Sequence, residues 1–289
     1  MRADVPRATD DQNHAPEDTG GDDLLLSRRR LLGSAMAASV GLTGGFSLLR
    51  DDDRLILERA KLKLSNWTAG KVKIAFLTDP HVNMRDERDR ALRAIEMADA
   101  EKPDLILLGG DYLNNNSGVS LSCLKEFLLR LSDCQAPCYG VMGNHDYWMS
   151  DTETLMKMFQ ASKVRLLINE VVDFQGFQVY GLDDGLSGYP TYQDPLLAQK
   201  NTLCLLHEPD FADLVPSSVS LTISGHSHGG QITFAGIRHT PVGAKKYIAG
   251  SYATKGSPLY VSRGVGTTGP RLRLFCPPEV TIFELEGAS

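Results

Sequence analysis

Asp, Asn and His collect at the ends of short apolar runs in this chain. Asp79 and His81 follow Lys73-Ile74-Ala75-Phe76-Leu77, and Asp111 follows Leu105-Ile106-Leu107-Leu108-Gly109-Gly110. Asn144, His145 and Asp146 follow Tyr139-Gly140-Val141-Met142-Gly143. His207 closes Thr202-Leu203-Cys204-Leu205-Leu206, and His226 and His228 come after the run from Val219 to Gly225. Five of the seven histidines sit in these pieces. Imidazole suits Zn, Fe and Ni, whereas carboxylate suits harder ions such as Mn and Mg. A set with both fits two divalent metals sharing one carboxylate. Two such ions about 3.5–4 Å apart clamp the attacking and leaving oxygens of an in-line displacement and bring the pKa of bound water towards about 7. The chemistry expected is hydrolysis of a phosphoester by a metal-bridging hydroxide.

Short apolar runs bounded by Gly and polar residues read as buried strands of an α/β sheet, and ligands in such sheets bind beyond the carboxyl ends of the strands. The spacing predicts strands at 73–78, 104–109, 138–142, 202–206 and 219–224. Helices are expected at 87–101, 119–132 and 151–160. Shorter strands are expected near 164–173, 177–182, 258–262 and 279–285. Ala91, Leu92, Ile95 and Ala98 give the first helix its apolar spacing, and Pro103 ends it. Alternating units first and antiparallel strands later imply an α/β four-layer sandwich, two mixed β-sheets face to face with helices outside. His226 and His228, one residue apart on an extended segment, are expected to face one side.

Taken together, Asp79-Pro80-His81, Gly109-Gly110-Asp111, Gly143-Asn144-His145-Asp146, His207 and Gly225-His226-Ser227-His228 resemble the five blocks of the calcineurin-like metallophosphoesterases. Further pieces are similar to a bacterial branch of twin-arginine-exported phosphoesterases and UDP-2,3-diacylglucosamine pyrophosphatases: His207-Glu208-Pro209-Asp210, His228-Gly229-Gly230-Gln231-Ile232 and the run Leu259 to Gly264. Pro80 departs from that branch, which has Leu there; extended side chains on either side of it are expected to keep the ligand geometry. The resemblance implies the metallo-dependent phosphatase fold and two divalent ions, Mn, Fe or Zn. Asp79, His81 and His228 would hold the first ion, and Asn144, His207 and His226 the second, with Asp111 bridging. His145 would face the substrate and protonate the leaving oxygen, or stabilise charge on the phosphoryl group. Asp146 would orient His145, or else cap the next segment.

Other residues read more plainly. Arg263 lies in a Gly-rich loop and is a surface or structural residue first, a phosphate contact second. Tyr147 and Trp148 are packing residues that also stand beside the cleft as candidate substrate contacts. Trp67 is a packing residue, and His14 and His239 belong to a polar tail and a loop. Cys134 and Cys138 flank Gln135-Ala136-Pro137 and are close enough in sequence to pair, but the count of five leaves a free thiol.

The 289 residues carry a net charge of −6. With no Lys/Arg patch interleaved with aromatics, nucleic acid is not expected as a partner. Residues 1–23 are polar and expected to be disordered. Residues 24–50 contain Ser27-Arg28-Arg29-Arg30-Leu31-Leu32-Gly33, which resembles the twin-arginine export motif. The uncharged run from Leu31 to Leu49 that follows is weakly apolar and marginal for a membrane span. Residues 51–70 read as a connecting segment and 71–289 as the catalytic domain. The partners expected are the twin-arginine machinery, a phosphorylated small molecule or lipid-linked substrate, and the membrane through residues 31–49, with the domain on the extracytoplasmic side. Two alternatives stand beside an exported phosphomono- or diesterase. One is a UDP-2,3-diacylglucosamine pyrophosphatase of lipid A synthesis at the cytoplasmic membrane face. The other is a non-catalytic metal-binding docking module.

Overall fold

The computed structural model describes residues 54–149, 151–192, 201–234 and 237–288; the polar tail and export signal read from the sequence lie outside them. Two six-stranded sheets pack face to face. The first takes β1 (Ile56–Leu64), β14 (Glu279–Gly287), β2 (Val72–Leu77), β3 (Leu105–Leu108), β4 (Cys138–Gly140) and β5 (Val164–Leu166) in that order. From β2 to β5 the pairing is parallel; β14 runs antiparallel to β2 and parallel to β1. The second takes β12 (Gly250–Tyr252), β13 (Leu259–Val261), β9 (Leu221–Ser224), β8 (Thr202–Leu205), β7 (Phe177–Gly181) and β6 (Glu170–Phe174). Its β13, β9, β8 and β7 are parallel to one another. A small hairpin, β10 (Thr233–Phe234) and β11 (Ile237–Arg238), stands apart from both.

Period-two alternation divides each strand of the first sheet between two cores. Ile74, Phe76, Leu105, Leu107 and Phe283 meet Val179, Leu203, Leu205, Leu221 and Ile223 of the facing sheet. Ala75, Leu77, Ile106, Leu108 and Ile282 turn the other way, onto Ala91, Ala94, Ile95, Leu124, Phe127 and Leu131. The latter belong to α1 (Arg85–Ala100) and α2 (Gly118–Ser132), the crossovers that keep β2, β3 and β4 parallel. Glu87 starts α1 by accepting the N–H of Met84 at 3.1 Å, and Ser117 caps α2 by accepting the N–H of Ser120 at 3.2 Å. Over the outer face of the second sheet, Tyr180, Cys204 and Leu206 pack with Val215 and Val219. Among the described residues this layer contains a 3-10 turn at Pro209–Leu214.

Segment 51–70 is more than a connector. Its residues 56–64 form a nine-residue strand in register with β14 from Ile56↔Glu279 to Leu64↔Gly287. Lys61 and Lys63 face Glu284 and Glu286 across that pair, which hides the apolar period behind charges. Trp67 is buried against Phe177 with ring centroids 5.1 Å apart. All five cysteines are free thiols.

Asp146 sits in the short helix α3 (Asn144–Trp148) and fixes the two loops that leave β3 and β4. One carboxylate oxygen accepts the N–H of Asp111 at 2.8 Å and of Gly143 at 2.9 Å; the other accepts those of Tyr112 at 2.8 Å and Leu113 at 3.3 Å. Burial, with repulsion from Asp111, pushes this carboxyl up to about 8, against the pull of the N–H donors. Orienting the His145 ring is therefore not what Asp146 does: its oxygens are spent on backbone. A buried N–H left without a partner costs about 1–3 kcal/mol. Asp146→Ala strands four of them, so urea unfolding should show a loss of at least about 3 kcal/mol. A loss below about 1 kcal/mol would contradict this stitching role.

Candidate metal centre

The carboxyl ends of β2, β3 and β4 and those of β8 and β9 meet at one rim. Asp79 and His81 leave β2, Asp111 leaves β3, and Asn144 starts α3 after β4. His207 leaves β8, and His226 and His228 leave β9. All seven are buried. Asp79, His81 and His228 form one group and Asp111, His207 and His226 another, with the candidate ligand atoms of each group within 4.8 Å of one another.

Asp111 joins the two. Its Oδ2 lies 3.6 Å from His81 Nε2 and 3.3 Å from His207 Nε2, one histidine from each group. Its Oδ1 accepts the backbone N–H of His145 at 2.9 Å. Asp79 Oδ1 lies 3.5 Å from His228 Nε2, while Thr78 donates its hydroxyl to Asp79 Oδ2 at 2.6 Å. Within the groups His81 Nε2 and His228 Nε2 are 3.2 Å apart, as are His207 Nε2 and His226 Nδ1. Asn144 Oδ1 is buried with no hydrogen-bond partner.

The outer ring nitrogens decide the tautomers of two histidines. His207 Nδ1 donates to the carbonyl of Gly109 at 2.6 Å and His226 Nε2 to that of Val242 at 2.7 Å. A carbonyl can only accept, so the outer nitrogens carry protons and the inner ones are turned toward the other candidate ligands, the arrangement that orients metal-binding imidazoles. His228 differs: its Nδ1 faces Arg273 Nη2 at 3.3 Å, and no carbonyl fixes its proton. Burial lowers His81 to about 4 and also lowers His226 and His228, so these rings are neutral at pH 7. Burial works the same way on His207, but Asp111 beside it wins and raises it well above the ordinary value. Burial likewise opposes ionisation of Asp111, yet His207 and His81 hold it well below the usual carboxylate range. Asp79 is raised by burial, with Asp111 adding to the rise.

The backbone here is not extended as the sequence suggests. Asp79, His81, Asp111, His226 and His228 have φ of 53°, 44°, 57°, 64° and 48°. Left-handed backbone is uncommon outside glycine, and such residues cluster where function over-determines them. The chain turns sharply on either side of Pro80, and again at His226 and His228. The two histidines thus enter different groups instead of facing one side. The glycines of the motifs let segments approach. A Cβ on Gly225 would lie 2.1 Å from Thr78 Oγ1, and one on Gly143 would lie 2.3 Å from Asp111 Oδ1.

His145 is half-buried, its ring 5.1 Å from that of His81 and 4.8 Å from that of Trp148. Trp148 is 63% exposed, which puts it at the opening. Tyr147 gives its hydroxyl to Asp183 in a short hydrogen bond. Arg263 is a structural residue and not a phosphate contact: it is paired with Glu58 at 3.2 Å and with buried Glu279 at 2.6 Å. His239 is an exposed loop residue. Sequence reasoning missed Arg273, which is fully buried and donates to the carbonyls of Arg263, Gly264 and Gly266 at 2.7, 3.1 and 2.6 Å. The Gly-rich stretch 264–269 was its only signal, since nothing local tells a buried arginine from a surface one.

Comparison with known proteins agrees with this geometry. The profile of the calcineurin-like phosphoesterases matches residues 72–230. The phosphodiesterase YaeI of Escherichia coli (strain K12) is 31% identical over 272 residues, spanning 90% of this chain and 100% of its own. An uncharacterized metallophosphoesterase of Aquifex aeolicus (strain VF5) is 31% identical over 75% of this chain and 86% of its own. The uncharacterized metallophosphoesterase YkuE of Bacillus subtilis (strain 168) is 29% identical over 91% and 99%. The profile covers more than half of the 289 residues and two of these relatives about nine-tenths of them, and the chain belongs to the calcineurin-like phosphoesterase family.

Proposed function

We propose that the chain is a dinuclear metal-dependent phosphodiesterase. The observation that carries this reading is the single Asp111 oxygen lying between His81 of one group and His207 of the other. The donor set fits two divalent ions: imidazoles, carboxylates, and the orphaned Asn144 Oδ1, which an ion would satisfy. Asp79, His81 and His228 would hold the first, Asn144, His207 and His226 would hold the second, and Asp111 stands where it could serve both. When bound, the ions supply an activated water and charge neutralisation at the phosphoryl group.

The remaining work belongs to the chain. Buried carbonyls hold His207 and His226 in place, and the Thr78 hydroxyl with the His226 N–H holds Asp79. His145, at the opening, gives a proton to the leaving oxygen as the P–O bond breaks. The products are a phosphomonoester and an alcohol, with water supplying the new P–O bond. Diesters are favoured over monoesters because the arginines nearest the centre are already satisfied. Arg263 is held by Glu58 and Glu279, and Arg273 by backbone carbonyls. Neither is free to meet the second charge of a monoester dianion, and the relative YaeI carries the name phosphodiesterase. The twin arginines point to export of the domain, which would part it from cytoplasmic UDP-sugars.

Asp111→Asn keeps the shape of the bridge but removes its charge. Purified native protein should hold close to two divalent ions per chain by elemental analysis, and this variant should lose most of both along with hydrolysis of bis(p-nitrophenyl) phosphate. Full metal content at full rate in the variant would end the bridging assignment.

His145→Ala should keep its metal and slow hydrolysis by roughly 10²–10⁴-fold, the range for a missing general acid. The loss should shrink for esters with good leaving groups, which need little protonation. An equal loss across leaving groups would assign His145 to charge stabilisation instead.

Replacing Arg28 and Arg29 together by Lys preserves charge but not the planar guanidinium fork. Fractionation should find the native chain outside the cytoplasm and the double variant within it, folded and active. Equal distribution of the two would refute export and return the UDP-2,3-diacylglucosamine reading to consideration.

A further inference from the structure

A groove of about 380 Å³ lies between the start of α1, the loop before α2 and the loop 267–271, two residues along the chain from the ligand His81 at Asn83. Both of its sides are tied to the ligand segment. On one side Asn83 donates its side-chain amide to the carbonyl of His81 at 2.9 Å and accepts the N–H of Asn114 at 2.7 Å. On the other side the N–H of Gly266 donates to the carbonyl of Asp79 at 2.8 Å, one residue before Thr267.

Thr267 is the informative residue. It lines the groove, is 3% exposed, and its hydroxyl has no hydrogen-bond partner. A buried hydroxyl without a partner costs free energy unless something else fills the need. Opposite, Asn115 uses its carbonyl oxygen on the Ser117 N–H and the Ser120 hydroxyl. Met84 and Val119, 49% and 56% exposed, give the groove apolar edges. The charged groups in the lining cancel: Arg271 is paired with Asp86 and with Glu87. No aromatic ring lines the groove.

We propose that this groove receives a polyol ester group, glycerol or sugar, carried on the phosphodiester substrate; this rests on the phosphodiesterase reading above. Neutral hydroxyl and amide groups recognise hydroxyls, and Met84 and Val119 pack against the C–H face of such a group. A nucleobase would lack a stacking ring. A second phosphate would find Arg271 already neutralised, so a nucleoside diphosphate does not fit.

The test compares kcat/KM for ethyl, glyceryl and 1-glucosyl p-nitrophenyl phosphates on the full chain loaded with Mn. The native protein should prefer at least one polyol ester to the ethyl ester by about tenfold, the order of one or two hydrogen bonds, and the larger preference says which polyol. Thr267→Val should collapse that ratio while Thr267→Ser keeps it. Thr267→Val removes a hydroxyl that has no partner, so its Tm should not fall. Asn115→Asp, which keeps the accepting oxygens and removes the amide donor, should lower the same ratio. Calorimetric titration with glycerol 3-phosphate or glucose 1-phosphate should weaken in step with the ratio in the Val and Asp variants. Equal rates for polyol and ethyl esters in the native protein, or a ratio that survives Thr267→Val, would overturn the polyol groove and leave the phosphodiesterase reading standing. Hydrolysis of none of the three esters would overturn both.

Discussion

One carboxylate sets the terms for the rest of the site. Every polar position of Asp111 is committed: Oδ2 to the two histidine groups, Oδ1 to the His145 N–H, and its own N–H to Asp146. The residue is 2% exposed, where an ionised carboxylate without partners would cost several kcal/mol. Its partners come from β2, β8 and the β4–α3 turn, on two different sheets. Asp111 therefore sits well only when the first sheet, the second sheet and the loop held by Asp146 are all in place. The buried charge that serves the chemistry also specifies how the two sheets meet at this rim.

The strain at the rim follows from the same demand. Parallel strands deliver residues to a common edge, but an extended exit would keep His226 and His228 on one side, whereas they belong to different groups. Left-handed turns at five of the ligand residues fold the side chains back toward one another. Such conformations cost of order 1–3 kcal/mol each. The glycines at 109, 143 and 225 allow the contacts that hold them, since added Cβ atoms there would meet Thr78, Asp111 and Asp79 below 2.5 Å. The apolar cores on both faces of the first sheet supply the stability against which this strain is set.

Where the fold was legible in the sequence, a periodic or compositional signal stood alone. Runs such as Leu105–Leu108 and Thr202–Leu205 are buried on both faces, so they read as unbroken apolar stretches, and the ligands at their ends could be named. β1 was missed because it is an edge strand whose exposed face carries lysines paired with glutamates on β14. The directions of His226 and His228 were misread because backbone handedness at a non-glycine residue is imposed by tertiary contacts and leaves no local trace. The His145-orienting reading of Asp146 and the phosphate-contact reading of Arg263 failed for one reason: what a polar side chain does depends on the partners that reach it. Asp146 found three N–H groups of the loop after β3 and that of Gly143, and Arg263 found Glu58, 205 residues away in the chain, and Glu279.

The electrostatics of the rim bear on what the site can accept. With Arg263 and Arg273 consumed by the protein, the described residues beside the ligands offer an imidazole, an indole and amides, and in the proposed reading the metals would bring the positive charge. In the dinuclear reading proposed above, two divalent ions against Asp79 and Asp111 would leave a modest net positive charge at the centre. That suits one negative charge on the substrate better than two, and it leaves recognition of the rest of the substrate to uncharged groups. His145, flanked by His81 within and Trp148 without, then marks the border between the charged centre and the neutral approach. Selectivity in such a site comes from the ester groups on the phosphorus more than from its charge, which is the arrangement a diester hydrolase needs.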